Sequence, residues 1–174
     1  MKLSLKASAI LSGFSAVLVL SSLACSASAQ PMRFDGSYIG AGATGSVNSV
    51  GVPGGAATFG GAIQGRVAIS NTPISVRASA LFTDKNSAII PTVTYDYGIG
   101  KNTNLYGGVG YSFVQNKGVA TPLGNKNSTV LTAGIESQVA KGVVVYGDTK
   151  VGLKAYQGSN AAAVNVGGGV GLKF

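Results

Sequence analysis

The sequence predicts an all-β chain: an eight-stranded antiparallel up-and-down barrel that crosses a membrane with its strands, behind a cleaved N-terminal leader. Three observations predict it. The chain ends in a stretch where every second residue counted back from Phe174 (Leu172, Val170, Gly168, Val166, Val164) is apolar or Gly, and those between (Lys173, Gly171, Gly169, Gly167, Asn165) are polar or Gly. That is the period of a strand with one apolar face. Seven upstream segments alternate in the same way. No charged residue falls on the apolar face of any of them.

Residues 1–29 read as a secretory leader: Lys2 and Lys6 form its charged start, residues 9–20 its apolar stretch, and Ala27-Ser28-Ala29 an A-x-A cleavage site before Gln30. Cys25 follows Ser22-Leu23-Ala24, a poor lipobox because Leu23 sits one position too near it, so acylation is not expected. Removing residues 1–29 from the 174 leaves 145, enough for one domain at 30–174. Cys25 is the single cysteine and the chain has no His, so the mature part has no disulfide, thiolate metal site or thiol nucleophile. The net charge of +8 is spread singly, with no run of Lys or Arg to mark a nucleic-acid surface. Of 27 glycines only Gly13 lies in the leader, a composition unfavourable to helices. No mature stretch reaches the ~18 apolar residues of a spanning helix. A membrane reading therefore requires a closed barrel, since an open sheet leaves backbone groups unpaired in lipid.

Taken in order, the first segment (37–47) turns Ile39, Ala41 and Ala43 outward; the second (58–70) turns out Phe59, Ile63, Val67 and Ile69. The third (74–83) shows Ile74, Val76, Ala78, Ala80 and Phe82, and the fourth (87–99) Val93, Tyr95, Tyr97 and Ile99. The fifth (104–115) shows Leu105, Val109, Tyr111 and Phe113; the sixth (128–139) Leu131, Ala133, Ile135 and Val139; the seventh (143–156) Val143, Val145, Val151 and Leu153. Most are near the ~9–11 residues a tilted strand needs to cross a bilayer. Connections 71–73, 100–103 and 140–142 are tight. Those at 48–57 and 117–127 are long, with 84–86 and 157–161 as shorter members of the same set. Short turns at one end and longer loops at the other is the pattern of such barrels. An even strand count puts both termini at the short-turn, periplasmic end. Pro91 falls inside the fourth segment and is expected at a rim or bulge.

The other face is polar and carries the candidate site: a lumen network of Arg66, Arg77, Asp96, Glu136, Asp148, Lys150, Lys154 and Lys173. Lys or Arg facing lipid at the midplane would cost about 2–4 kcal/mol, so confinement of charge to one face argues for charges inside and lipid outside. Outward aromatics near strand ends suit the girdles at lipid–water boundaries. A soluble, secreted lipocalin-like binder would need the reverse and stands as an alternative. A second alternative is a narrow porin-like channel, with inward glycines leaving space and an excess of inward positive charge favouring anions.

Leu105-Tyr106-Gly107-Gly108-Val109-Gly110-Tyr111-Ser112-Phe113, Val145-Tyr146-Gly147-Asp148 and the Gly169-Val170-Gly171-Leu172-Lys173-Phe174 terminus resemble the repeated strand of small bacterial outer-membrane β-barrels, in the size class of OmpX and the OmpA transmembrane domain. The resemblance covers essentially the whole mature chain. It implies a Gram-negative cell outer membrane, no cofactor, and a C-terminal assembly signal (Val170, Leu172, Phe174) read by the barrel-assembly machinery. It implies outer-membrane lipid and lipopolysaccharide as partners, and names no surface partner. Members range from anchors to adhesins, and a few are enzymes. The short loops weaken an adhesin reading. The enzymes use His, so a His-dependent mechanism is excluded here.

Other motifs carry little. Gly40-Ala41-Gly42-Ala43-Thr44-Gly45 matches G-x-G-x-x-G, but neither a helix nor an acid about 20 residues on follows it, as a dinucleotide site requires. Asp96, Glu136 and Asp148 read as salt-bridge partners rather than acid–base pairs. Asn127-Ser128-Thr129 is a chance sequon. Lys117 and Lys126 flank the longest loop and read as solvated, with contact to anionic lipopolysaccharide head groups as the alternative. The expectation is a non-enzymatic structural or surface-interaction protein of the envelope.

Overall fold

A computed structural model describes residues 33–48 and 58–174. The leader, and most of the 48–57 connection, lie outside the described residues. Eight strands follow in chain order: β1 (Tyr38–Ser46), β2 (Phe59–Ala68), β3 (Ile74–Phe82), β4 (Ser87–Gly100), β5 (Thr103–Val114), β6 (Ser128–Ala140), β7 (Val143–Leu153) and β8 (Ala163–Lys173). Each pairs antiparallel with the next, and β8 pairs with β1 from Tyr38↔Lys173 to Ser46↔Asn165, which closes the barrel. Closure leaves no sheet edge.

The period-2 pattern becomes inside and outside. Along β4, Ala88, Ile90, Thr92, Thr94 and Asp96 are buried, while Ile89, Pro91, Val93, Tyr95 and Tyr97 between them are exposed. Every charged residue within the strands falls on the inward alternation, and the outward face is apolar: Phe59 is 76 % exposed and Leu172 65 %. A soluble barrel would bury these side chains; this one presents them.

Outward aromatics occupy one sector. They are Phe59 on β2, Phe82 on β3, Tyr95 and Tyr97 on β4, and Tyr111 and Phe113 on β5, the last two in edge contact with centroids 5.0 Å apart. Strands β6, β7, β8 and β1 turn none outward, and only Phe174 follows β8.

Two expectations need correcting. Pro91 is at neither a rim nor a bulge. It lies inside β4, opposite Ala78, and the ladder to β5 passes over Ile90 and Pro91 and resumes at Thr92↔Gly110 in the register of Ile89↔Phe113. Proline forfeits its own N–H without displacing the strand. The irregularities in the hairpins lie elsewhere, at Gly98/Gly100 and Gln138/Ala140. The seventh strand does not reach Tyr156: it ends at Leu153, because Lys154 takes a positive φ of 54° and turns the chain.

Glycines let the interior hold large rings. A Cβ on Gly134 would stand 2.5 Å from Cζ of Tyr106. Its absence lets that ring cross the lumen. At Gly42 a Cβ would run into the carbonyl of Gly168 on β8, so the β1–β8 seam depends on glycine for its close approach.

Candidate functional site: the polar interior and its two caps

The interior is layered along the barrel axis. Nearest the short-turn end, register sets Arg66 on β2 directly opposite Arg77 on β3. Two guanidinium groups side by side repel, and two carboxylates offset that repulsion. Asp96 of β4 lies 2.6 Å from Arg66 and 3.0 Å from Arg77; Glu136 of β6 lies 3.2 Å from Arg66 and 2.8 Å from Arg77. Each cation touches both anions, and all four are at most 3 % exposed. Charged groups buried this deeply are tolerable only with partners on every side.

The partners are present. Tyr38 Oη donates to Glu136 at 3.0 Å and accepts from Gln64 Nε2, whose Oε1 accepts from Ser79. Asn104 donates to Glu136 Oε1 at 3.1 Å, and Ser75 donates to Asp96 at 2.7 Å. Arg77 Nε donates to Thr94 at 3.0 Å, and its guanidinium lies 3.7 Å over the Tyr106 ring.

The short-turn mouth is stopped by the segment preceding β1. Phe34 is 3 % exposed. Its N–H donates to Asn104 Oδ1 at 3.0 Å and its carbonyl accepts from Asn104 Nδ2 at 2.7 Å. Arg66 donates to the carbonyl of Gly36 and stands 5.3 Å over the Phe34 ring. Lys173 Nζ stands 5.4 Å over the same ring from outside.

Midway, Lys150 pairs with Asp148 at 2.5 Å, and Tyr106 Oη donates to Asp148 at 3.1 Å. Above this pair the walls turn apolar. Ala62, Leu81, Ile90, Val130, Ala155, Tyr156 and Ala163 form a cluster closed by Leu123, which is 0 % exposed. Leu123 and Pro122 belong to the β5–β6 loop, whose tip folds into the mouth through a Thr121↔Gly124 bridge. Asn165 Nδ2 donates to the Pro122 carbonyl at 3.2 Å and pins it there.

Asparagines lace the loops together. Asn86 Nδ2 donates to the carbonyls of Asn116 (2.9 Å) and Val119 (2.7 Å), and its Oδ1 accepts from Asn116 N. Asn125 N donates to Ala155 O at 3.0 Å, and its Oδ1 accepts from Gln157 N. Asn48 Nδ2 donates to Ala162 O.

Of the residues singled out from sequence, Arg66, Arg77, Asp96 and Glu136 share one cluster, and Asp148 and Lys150 form the second. Lys154 joins neither: it is exposed beyond the end of β7. Lys173 is exposed at the short-turn mouth, with Nζ 3.4 Å from Gln138 Oε1. The enclosed charge is therefore three cations (Arg66, Arg77, Lys150) against three anions (Asp96, Glu136, Asp148), not the positive excess expected. Val170, Leu172 and Phe174 are exposed on the outer face; Phe174 N donates to Ser37 O at 3.1 Å. Sequence reasoning missed Phe34, Asn104 and Leu123. Only Leu123 carried a signal, an apolar pair (Pro122-Leu123) inside a polar loop.

Chemically, every enclosed carboxylate is held by a cation. Among the described residues no group of three His, Cys, Asp or Glu side chains could hold a metal. Four buried hydroxyls, on Ser112, Ser128, Thr132 and Tyr146, have no hydrogen-bond partner among the described residues. An unpaired buried hydroxyl costs about 1–3 kcal/mol, so Thr132→Val, which keeps the shape, is expected to hold or raise stability in urea unfolding of the refolded barrel. A loss above ~1 kcal/mol would show that the hydroxyl is bonded in solution.

No family model matches the chain, and no curated protein does. Solved structures do. Ail, the attachment invasion locus protein of Yersinia pestis, is 16 % identical with a TM-score of 0.51, covering 82 % of this chain and all of its own. Neisserial surface protein A is 17 % identical with a TM-score of 0.54, covering 79 % of this chain and 97 % of its own. The N-terminal barrel domain of Pseudomonas aeruginosa OprF is 14 % identical with a TM-score of 0.51, with the same coverages. At these identities the likeness is one of architecture: the chain has the fold of the small eight-stranded barrels of bacterial outer membranes.

Proposed function

We propose that this chain is an integral outer-membrane protein with both termini periplasmic, a non-enzymatic barrel whose role is structural or surface-interacting rather than conductive. The observation that carries the reading is the pairing of an uncharged apolar exterior with an interior stopped at both ends, by Phe34 at one and Leu123 at the other. An eight-stranded barrel is just wide enough for side chains to fill. The pairing of all three enclosed carboxylates (Asp96, Glu136, Asp148) with enclosed cations favours a scaffold over a catalyst.

The mature protein is expected to fractionate with the outer membrane, to shift in SDS electrophoresis on boiling, and to give no steady current in planar bilayers. A soluble, unshifted band would overturn the membrane reading. Steady single-channel current, altered by Arg66→Ala or Arg77→Ala, would replace the closed barrel with the narrow channel.

A further inference from the structure

We propose that the short-turn mouth is a peptide-binding site that reads an aromatic residue followed two positions later by glycine, and that the chain's own Phe34-Asp35-Gly36 is its tethered, exchangeable occupant. The segment before β1 first meets the sheet by a main-chain bond at Ser37, whose carbonyl accepts from Phe174 N at 3.1 Å. Upstream of Ser37, among the described residues, every hydrogen bond that holds the segment comes from a side chain. A ladder of main-chain bonds accepts almost any sequence, whereas side chains select one.

Two positions are read and the one between them is not. Phe34 and Gly36 are buried, while Asp35 faces water and pairs with Arg33. The Phe34 ring enters a cluster with Tyr38, Val144 and Tyr146, and the Arg66 guanidinium and the Lys173 ammonium both stand over it. Asn104 pairs with both main-chain groups of Phe34, as a neighbouring strand would. Gly36 is selected together with the ring. A Cβ there would stand 2.5 Å from Cε2 and Cζ of Phe34 and 2.7 Å from Cε of Lys173. The buried ring has no room to swing aside, so a side chain at position 36 and a ring at position 34 exclude each other.

The barrel wall is also built to hold a peptide carbonyl. Arg66 Nη2 and Nε face Asp96 and Glu136, but among the described residues Nη1 has no carboxylate and donates to the Gly36 carbonyl. Arg66 is 1 % exposed, so vacating the mouth takes the acceptor from a buried charged donor. Exchange of one peptide for another keeps that bond and the two to Asn104. The mouth stays stopped in either state. The short-turn end thereby gains a partner class beyond the scaffold role: an extended segment of a second chain with the same aromatic-x-glycine pattern.

The test uses the full mature chain refolded in detergent and the peptide fluorescein-Arg-Phe-Asp-Gly-Ser-amide, with binding read by anisotropy. F34A, whose own segment has lost its anchor, is expected to bind the peptide at least about tenfold more tightly than wild type, in which the tethered segment competes at an effective concentration of order mM. Replacing the peptide's Phe or its Gly by Ala, or methylating the Phe amide nitrogen that donates to Asn104, should each weaken binding at least about tenfold; replacing its Asp by Asn should not. A second arm leaves Phe34 in place. A nitroxide on D35C, the single thiol of the mature chain, is expected to turn from an immobile to a mobile line shape in millimolar peptide. Equal binding by F34A and wild type, binding indifferent to the peptide's Phe, Gly or amide, or a label that stays immobile in excess peptide would overturn the proposal. The label decides alone if F34A gives no heat-shifted band. Neither arm requires a membrane, so failure here and failure of the membrane reading are separate results.

Discussion

Glu136→Ala is expected to destabilise the barrel by about 3–5 kcal/mol, the cost of breaking a buried ion pair while its partner stays behind. Glu136 neutralises one of two adjacent guanidinium groups, and it accepts from Tyr38 and Asn104 as well. Its removal leaves Arg66 and Arg77 sharing Asp96 alone, one uncompensated cation in an interior with no route to solvent past Phe34. Glu136→Gln keeps the shape and some of the hydrogen bonds, and should fall between. The double variant R77M/E136L leaves Arg66 and Asp96 as a neutral pair 2.6 Å apart, and is expected to be more stable than Glu136→Ala despite two changes. Urea unfolding of barrels refolded in detergent measures all four proteins. A Glu136→Ala cost below ~1 kcal/mol would mean that the quartet adds nothing to the folded state.

Gly42→Ala and Gly65→Ala are the same chemical change with opposite expected results. A methyl at Gly42 meets the Gly168 carbonyl and the Gly169 Cα across the closing seam, backbone atoms that cannot swing aside. The β1–β8 ladder must part. The loss is expected at or above the ~1–3 kcal/mol typical of overpacking, with a reduced yield of the heat-resistant form. At Gly65 nothing lies within 4 Å of the new methyl, so the variant should gain about 0.5–1 kcal/mol from the restricted unfolded chain. If both behave alike, the seam does not depend on the missing Cβ.

Alternation places Gly42 inside and Gly65 outside, but it does not show that the Gly168 carbonyl comes up against Gly42, and this marks where sequence reading reaches its limit. The strands were legible because a strand half in lipid must alternate, and which face was inside was legible because charges avoid lipid. Arg66, Arg77, Asp96 and Glu136 could therefore be placed in the lumen one by one. That both cations would touch both anions depends on the stagger of the strands, which only the turns and the closing seam determine. Lys154 looked equivalent to Lys150, because alternation was continued past a residue whose positive φ ends it. Phe34 precedes the first alternating segment and Leu123 sits in a loop. Neither belongs to a periodic element, so no period could assign them to the two mouths. Pro91 looked like a defect, because the sequence does not show that the ladder can pass over it without changing register.

The uneven distribution of rings has a further consequence. Phe59, Phe82, Tyr111 and Phe113 mark the upper water boundary on one flank, and Tyr95 and Tyr97 the lower, while the flank from β6 round to β1 has one exposed ring, Phe174 at the short-turn end, and none at the loop end. Interfacial aromatics are what hold a spanning element at a fixed height. One side of the cylinder is thus moored at both water boundaries and the other only at the lower, so its upper rim can follow the local bilayer thickness. Viewed along its axis, the protein has a heading. Neighbours diffusing in the plane of the membrane would meet a firm flank or a compliant one according to the direction of approach.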